Sequence, residues 1–280
     1  MDWPLFYHEP VMHEYHTTLG RLQFSVASAK SWNHQTWFYF HGAGGNLESW
    51  KGFAGAVMQF NTSDAYPNIV SISLGQKWFL VDRIFDQRYA GSQLFWQTLL
   101  PELKQIVGEM GHTVAIGHSM GGFNALSLYL DNPAFWDSVV LMTPAIADLS
   151  PYASQQDKLE YMSRSHALTW KQKLKEIFRG PQSVTATIDI ILANWRALAK
   201  NNDEWLQIDP LHRLETLRRA HSTRFFVSCG KNDPFGFWEG ASKAVSLLKK
   251  VGISVESHMI PGGHMAIPYK KVALFLFSGK

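Results

Sequence analysis

The sequence predicts an α/β protein in which a mostly parallel central sheet is flanked by helices on both faces. Short, almost wholly apolar segments recur along the chain, and segments of helical periodicity separate them. This alternation is typical of βαβ units, whose right-handed crossovers place the loops after successive strands along one edge of the sheet. With 280 residues, 46% of them hydrophobic, the chain is consistent with a single domain over residues 1–280.

The first half of the chain supplies a predicted hairpin, two strands and two helices. The β-rich segment 15–28 indicates a hairpin with its turn near Gly20 and Arg21. The periodicity of 91–111 predicts a long amphipathic helix, and Gly111 suits its C-cap because glycine adopts a positive φ without strain. The other predicted elements are strands over 36–40 and 68–74 and a helix over 46–60.

The second half repeats the pattern and ends in a helix. Apolar segments predict strands over 112–118, 138–146, 223–230 and 253–260. Helices are predicted over 120–133, 239–252 and 265–277. Asn132-Pro133 stops the first of these helices, because proline cannot continue one.

Residues 147–222 depart from this alternation, since they have little strand character. Three stretches there look helical: WKQKLKEIFRG, VTATIDIILANWRALAK and PLHRLETLRRA. We interpret 147–222 as a helical insertion within the single domain, a cap or lid over the edge of the sheet.

Composition excludes several classes of protein. The net charge of +3, from 26 basic and 23 acidic residues, is too balanced for a nucleic-acid-binding surface. Cys229 is the only cysteine, which excludes an internal disulfide or a cysteine-based metal cluster. We find neither a secretory signal nor an apolar run long enough for a transmembrane segment, and therefore expect a soluble, cytoplasmic protein. The oligomeric state is left open.

Ser119 is the first candidate for chemistry. It is the serine of a G-x-S-x-G pattern that runs from Gly117 to Gly121, between the predicted strand HTVAIGH and the helix MGGFNALSLYL. A serine at such a turn is exposed at the sheet edge, and the glycines permit the turn and close strand–helix packing. The helix N-terminus also favours developing negative charge there. We interpret Ser119 as a nucleophile, with a structural serine in a glycine-rich turn as the alternative.

A serine hydroxyl needs an adjacent base, itself oriented by an acid. Asp233 and His264 fit, because each follows a late predicted strand and the chain between them holds one helix and one strand. The competing acids are Asp203 and Asp209, which follow no strand. The competing bases are His112, His118 and His258, for which core or surface roles suit better; His118 should point away from Ser119.

Acyl transfer also needs donors for an oxyanion. The backbone N–H of Met120, the residue after the serine, is one candidate. The second is expected from HGAGG, with Ala43 preferred over Gly44, unless this segment is only a glycine-rich turn.

Two further motif interpretations are not favoured. HGAGGNLE has Leu47 where a dinucleotide-binding G-x-G-x-x-G pattern needs glycine. The N-terminal residues His8, His13, Glu14 and His16 lack a zinc-type framework, so a solvated segment is preferred to a metal site. We therefore expect no metal and no cofactor.

These motifs resemble the α/β-hydrolase fold, and within it most closely the putative-esterase (esterase D-like) branch. The similar segments, spread over roughly 36–270, are HGAGG, GHSMGG, SVVLMTPAI, GKNDPF and IPGGH. GHSMGG and TPAI are also similar to lysophospholipases and monoglyceride lipases. The resemblance implies hydrolysis of carboxylic esters or thioesters without metal or organic cofactor. It implies Ser119 as nucleophile, His264 as base, Asp233 as acid, and Ala43 and Met120 as oxyanion donors.

The insertion is longer than a minimal esterase needs, so the substrate is less defined than the mechanism. Five aromatic residues follow predicted strands near the active edge: Trp50, Trp78, Phe235, Phe237 and Trp238. Unless they belong to the core, they would line an apolar pocket for the acyl or aryl group of a small-molecule ester. An acyltransferase, cofactor-free C–C cleavage or perhydrolysis, and a non-catalytic receptor of the same fold remain as alternatives.

Overall fold

The computed structural model of the chain describes residues 3–17, 20–73, 79–82, 91–165, 184–218 and 222–278. Within these ranges eight strands form one sheet in the order β1-β2-β4-β3-β5-β6-β7-β8. Their bounds are β1 Val11–Thr17, β2 Gly20–Ala27, β3 Trp32–Phe40, β4 Tyr66–Ser73, β5 His112–His118, β6 Ser138–Met142, β7 Arg224–Gly230 and β8 Ser254–Ile260.

The sheet is mostly parallel. Strand β2 pairs antiparallel with both β1 and β4, while the pairs from β4 through β3 to β8 are all parallel. The central strand β6 is buried at every position, as expected for a parallel strand covered on both faces. The predicted fold class is confirmed.

Helices cover both faces of the sheet. Their bounds are α1 Trp3–Phe6, α2 Ser49–Met58, α3 Gly91–Gln93, α4 Leu100–Val107, α5 Met120–Asp131, α6 Gln155–Ser165, α7 Val184–Arg196, α8 Asn202–Ile208, α9 Pro210–Thr216, α10 Phe237–Lys250 and α11 Tyr269–Phe277. A π-helical stretch, Leu94–Leu99, joins α3 to α4, and a 3₁₀ turn, Pro133–Phe135, follows α5.

The two faces of the sheet bury two separate apolar cores. In β3, Phe38 and Phe40 point into the larger core, which also contains residues of α5, α10 and the insertion. The alternate residues Trp37 and Tyr39 point into the smaller core, with residues of α2 and α11. This is the period-2 alternation of a strand, here apolar on both sides because both sides are covered.

The parallel strands bring four loops to one edge of the sheet. The segment HGAGG follows β3, Ser119 follows β5, Asp233 follows β7 and His264 follows β8. Strand β6 ends at Met142, four residues before the predicted end. Thr143 has a φ of 42°, which turns the chain out of the sheet, and Pro144 has no N–H to continue the ladder.

Within the described parts of 147–222 the regular structure is helical, as predicted, and consists of α6 to α9, with turns and irregular segments between them. The predicted helix WKQKLKEIFRG lies outside the described residues. Trp195 and Trp205 stack at 5.1 Å, and both rings lie beside Phe123 of α5, at 6.3 and 6.4 Å between centroids. This part of the insertion is thereby packed against the main core, and its role as a cap or lid stays a prediction.

Candidate active site

Ser119 stands in a sharp turn between β5 and α5. Its backbone angles, φ 54° and ψ −118°, lie outside the regions that side-chain-bearing residues favour. Neighbouring glycines make the turn possible: a Cβ atom at Gly121 would lie 1.9 Å from the carbonyl oxygen of Phe40, and one at Gly117 would lie 2.1 Å from that of Gly121. Only residues without a side chain allow strand and helix to approach this closely.

Backbone hydrogen bonds hold this turn against the segment after β6. The N–H of Ser119 donates to the carbonyl of Met142 at 3.0 Å. The carbonyl of Ser119 accepts hydrogen bonds from Ala145 N–H at 2.8 Å and Gly122 N–H at 2.9 Å. The position of Ser119 is therefore fixed from both sides, as a strained residue requires.

The structure brings Ser119, His264 and Asp233 into one hydrogen-bonded series. Nε2 of His264 lies 2.9 Å from Oγ of Ser119, and Nδ1 lies 2.6 Å from Oδ2 of Asp233. The carboxylate only accepts, so Nδ1 carries the proton and Nε2 is left free to accept one from the serine.

Asp233 is completely buried, with 0% of its surface exposed, and both of its oxygens are engaged. While Oδ2 faces His264, Oδ1 accepts the N–H of Phe235 at 2.8 Å. The N–H of Asn232 donates to the carbonyl of Gly262 at 2.9 Å, which joins the Asp233 turn to the His264 loop. These partners compensate for the cost of burying a carboxylate.

Three aromatic rings surround the imidazole of His264. The rings of Phe235, His118 and Phe237 lie at 5.0, 5.5 and 5.8 Å between centroids. Strand alternation predicts that the side chain of His118 points away from Ser119, and its ring lies beside that of His264, the hydrogen-bond partner of Ser119. Burial lowers the pKa of His118 to about 4, with a further decrease from the proximity of His264. His118 is therefore neutral at neutral pH.

The loop after β3 reaches Ser119 through Gly42. A Cβ atom at Gly42 would lie only 3.3 Å from Cβ of Ser119. The carbonyl of Gly42 accepts hydrogen bonds from Nδ1 of His41 at 2.7 Å and from Gly45 N–H at 3.0 Å. Burial lowers the pKa of His41, which favours the neutral ring, and the Gly42 carbonyl can only accept, which places a proton on Nδ1.

These bonds orient the peptide between Gly42 and Ala43. In a trans peptide the N–H points opposite to the carbonyl, so fixing the Gly42 carbonyl also fixes the Ala43 N–H. The N–H of Met120, as the first residue of α5, has no acceptor within the helix. The role of Ala43 and Met120 as oxyanion donors stays a prediction.

Comparison with known proteins identifies the family. Residues 64–268 match the family described as "Putative esterase", a range that contains Ser119, Asp233 and His264. The chain belongs to this family. It is therefore a carboxylic ester hydrolase with an α/β-hydrolase fold. No protein with a curated description matches the sequence significantly.

Solved structures of esterases share the fold at low sequence identity. A hyperthermophilic esterase from the archaeon Pyrobaculum calidifontis is 15% identical, with a TM-score of 0.64 over 97% of this chain and 86% of that one. A ferulic acid esterase is 15% identical, with a TM-score of 0.58 over 98% and 96%. The carboxylesterase EstE1, cloned from a metagenomic library, is 13% identical, with a TM-score of 0.60 over 97% and 83%.

The aromatic residues predicted to bind substrate lie in different places in this esterase. Phe235 is partly exposed beside His264, and Trp238 is partly buried against the main core. Trp50 is 1% exposed and packs against Tyr7 in the smaller core, so the structure does not bring it to an open pocket. Trp78 lies outside the described residues.

The rival acids and bases lie at other places in the fold. Asp203 lies in the first turn of α8, and Asp209 is the N-cap of α9 with its side chain on Leu211 N–H. Nε2 of His112 lies 3.1 Å from Ser138 Oγ, and Nε2 of His258 lies 2.7 Å from Glu256.

The described ranges contain neither a metal-binding cluster nor a membrane-spanning helix. No group of three or more His, Cys, Asp or Glu residues there is placed to hold a metal ion. His13, from the N-terminal cluster, instead stacks on Phe24 and lies 3.6 Å from Glu102. No helix within the same ranges has the length and apolarity needed to cross a bilayer.

The sequence motifs give no role in the site to two histidines, His41 and His118, that the structure places beside it. His41 opens the HGAGG segment, and its position directly before Gly42 was the available signal. For His118 the alternation of a strand predicts only the direction of Cβ, whereas its ring contact depends on the distant loop that carries His264.

Proposed function

We propose that the protein is a serine esterase that cleaves a carboxylic ester or thioester through an acyl-enzyme intermediate. Ser119 is the nucleophile, His264 the general base and Asp233 the acid that orients it. The observation that carries this proposal is the hydrogen-bonded series from Ser119 Oγ to His264 Nε2 at 2.9 Å, and from His264 Nδ1 to Asp233 Oδ2 at 2.6 Å.

In the first step His264 Nε2 takes the hydroxyl proton as Ser119 Oγ attacks the ester carbonyl carbon. The carbonyl π electrons move to oxygen, and the N–H groups of Met120 and Ala43 donate to this oxyanion. When the carbonyl reforms, the bond to the leaving oxygen or sulfur breaks, and His264 returns the proton to it. The buried carboxylate of Asp233 stabilises the imidazolium between these transfers.

In the second step water replaces the alcohol or thiol. His264 removes a proton from water, which attacks the acyl carbon, and then returns that proton to Ser119 Oγ as the acyl bond breaks. The products are a carboxylic acid and free enzyme. The protein side chains alone balance every proton in this cycle.

The expected substrate is a small-molecule ester with an apolar acyl or aryl group. Support comes from the partly exposed ring of Phe235 beside His264. Met265, the residue after the base, is 70% exposed and adds apolar surface at the same edge. Apolar walls with few polar groups are usual for pockets that bind such groups.

The first experiment is labelling with a fluorophosphonate probe, followed by intact mass and peptide mapping. We expect one adduct, on Ser119, in the wild-type protein. Ser119→Ala should label nowhere and lose about 10⁴-fold or more in turnover. Ser127→Ala, a change of the same size on α5, is the matched control and should label like the wild type.

A folded wild-type protein without an adduct, or a Ser119→Ala variant with most of its turnover, would contradict the proposal. Once labelling is established, a panel of p-nitrophenyl esters and thioesters of increasing chain length defines the acyl preference. Product analysis with a competing alcohol separates hydrolysis from acyl transfer.

A further inference from the structure

A buried tyrosine of the insertion contacts the turn that carries Asp233. Tyr161 lies on α6 and is 0% exposed. Its hydroxyl donates to the carbonyl of Gly236 at 2.8 Å and lies 3.3 Å from the carbonyl of Phe235. Both carbonyls belong to the segment between β7 and α10, residues 231–236, of which Asp233 is part.

The same turn holds Asp233 through its own backbone. The N–H of Phe235 donates to Oδ1 of Asp233 at 2.8 Å, and the N–H of Gly236 donates to the carbonyl of Asp233 at 3.0 Å. Gly236 has a φ of 73°, a left-handed conformation that favours glycine. The two carbonyls that the Tyr161 hydroxyl approaches belong to the same residues, Phe235 and Gly236, as these two N–H donors. A shift of the turn therefore also moves the N–H group of Phe235 that binds Oδ1.

Phe235 extends this contact to the base. Its ring lies 5.0 Å from the imidazole of His264, in an edge-on arrangement. The turn therefore touches both partners of the 2.6 Å hydrogen bond between His264 Nδ1 and Asp233 Oδ2. A continuous series of contacts runs from the insertion to Ser119 through this turn.

The hydroxyl of Tyr161 is a permanent donor. Burial raises its pKa well above the usual range, and the negative charges of Glu239 and Asp233 raise it further. The phenol therefore keeps its proton over the pH range in which an esterase is assayed. A buried phenol is expected to have a hydrogen-bond partner, and here the partner is the acid-bearing turn.

We propose that Tyr161 is a positioning residue of the esterase, whose hydroxyl holds the 233–236 turn so that Asp233 and His264 stay aligned with Ser119. The inference rests on the function proposed above, because it concerns the same three side chains. The hydroxyl of Tyr161 contacts the backbone of Phe235 and Gly236, so in this proposal it acts through the turn that carries Asp233. The insertion then supports catalysis from α6.

The test compares Tyr161→Phe with Tyr152→Phe. Each variant loses one phenolic oxygen from the insertion, but the hydroxyl of Tyr152 donates to the carbonyl of Ala199, within the insertion itself. For Tyr161→Phe we expect kcat on p-nitrophenyl butyrate to fall about 3- to 10-fold with KM unchanged, and the labelling rate of Ser119 to fall equally. Tyr152→Phe should match the wild type in kcat, KM and labelling.

A spectroscopic measurement separates positioning from simple anchoring of α6. The proton between His264 Nδ1 and Asp233 gives a far-downfield ¹H NMR signal when the hydrogen bond is short and buried. We expect this signal to move or broaden in Tyr161→Phe and to keep its position in Tyr152→Phe. Circular dichroism on the same samples shows that both variants are folded.

The outcomes distinguish this inference from the function on which it rests. An active wild type together with a Tyr161→Phe variant of equal kcat and unchanged proton signal, even with a lower melting temperature, overturns the positioning role alone. A folded wild type that neither hydrolyses esters nor labels at Ser119 overturns the proposed function and this inference with it.

Discussion

Ser119 holds a backbone conformation that is unfavourable for any residue with a side chain. At φ 54° and ψ −118° the Cβ atom crowds the adjacent backbone, which costs about 1–3 kcal/mol. The residue is held there by the hydrogen bond that its N–H donates to the carbonyl of Met142 and by those that its carbonyl accepts from Ala145 and Gly122. The turn thus presents the partly exposed Ser119 at the sheet edge at a cost to the stability of the fold, and this cost is measurable.

We predict that the free energy of unfolding of Ser119→Gly is about 1 kcal/mol higher than that of Ser119→Ala. Both variants lose the hydroxyl, but only glycine relieves the strained φ, and its greater flexibility in the unfolded chain offsets part of the gain. Urea denaturation followed by circular dichroism gives the two free energies of unfolding.

Ser127 supplies the control for this comparison. It lies inside α5, where glycine is expected to be about 1 kcal/mol worse than alanine. The order of the Gly and Ala variants should therefore reverse between positions 119 and 127. The same order at both positions would show that Ser119 is not strained in solution.

At the residue scale, the sequence could predict the three side chains of the hydrogen-bonded series. Ser119, Asp233 and His264 each follow a strand, in the chain order that the fold requires, so pattern and topology together select them. The contacts of His41 and His118 could not be predicted, because they depend on ring positions and on loops that are distant in the sequence. Tyr161 belongs to the same class, since no local motif marks a hydroxyl that reaches another element.

At the scale of elements, the existence of strands and helices was easier to predict than their ends. Strand β6 was predicted to residue 146 because SVVLMTPAI is apolar throughout, but the turn at Thr143 ends it at Met142. The predicted helix over 91–111 contains the π-helical stretch Leu94–Leu99 and ends at Val107. The spacing of apolar residues predicts which face of a helix is buried. It does not distinguish a π-helical turn from an α-helical one.

The start of α9 tests how a helix tolerates a partly buried carboxylate at its N-cap. Asp209 caps this helix and accepts Leu211 N–H at 3.2 Å. Burial raises its pKa to about 6, although two backbone N–H groups and the charges of His212 and Lys243 act in the opposite direction. The folded state therefore prefers the protonated acid, so its contribution to stability is full below the unfolded pKa and is lost as the pH rises through about 6.

We predict that Asp209→Asn stabilises the protein at pH 8 by about 1–2 kcal/mol relative to wild type, and changes little at pH 4. The amide keeps the capping oxygen and removes the desolvated charge, at the loss of a small favourable interaction with the helix dipole. Free energies of unfolding in urea at the two pH values check this.

Asp209→Ala separates the cap from the charge. It removes both, and should be about 1 kcal/mol less stable than Asp209→Asn at either pH. An advantage of Asp209→Asn over wild type that is equal at pH 4 and pH 8 would mean that the carboxylate is not perturbed by burial.

At the scale of the whole molecule, the parallel sheet determines where the site is, because four loops after four strands meet at one edge. The alternating pattern predicted this edge. It did not predict the order of the strands or the antiparallel pairing of β2 with β4, since pairing partners far apart in the chain leave no periodic signal. The sequence also could not predict how the insertion packs on the sheet, because its tryptophans contact Phe123, which is distant in the chain, only after folding.

This packing predicts that the insertion and the sheet unfold together. Trp205 is buried, stacks on Trp195 and lies beside Phe123, which is on the helix that begins directly after Ser119. A single cooperative transition is expected when two parts share a core. Ellipticity and fluorophosphonate labelling of Ser119 should then be lost at the same urea concentration.

Trp205→Ala should lower the free energy of unfolding by about 3–5 kcal/mol and shift both signals together, because it opens a cavity in the shared core. Ile190→Ala, an exposed position on α7, is the control within the insertion and should change stability by less than about 0.5 kcal/mol. If Trp205→Ala instead melts part of the helical signal early while Ser119 continues to label, the insertion folds as a separate unit. Its helices would then be free to open as a lid over the site, independently of the sheet that carries Ser119.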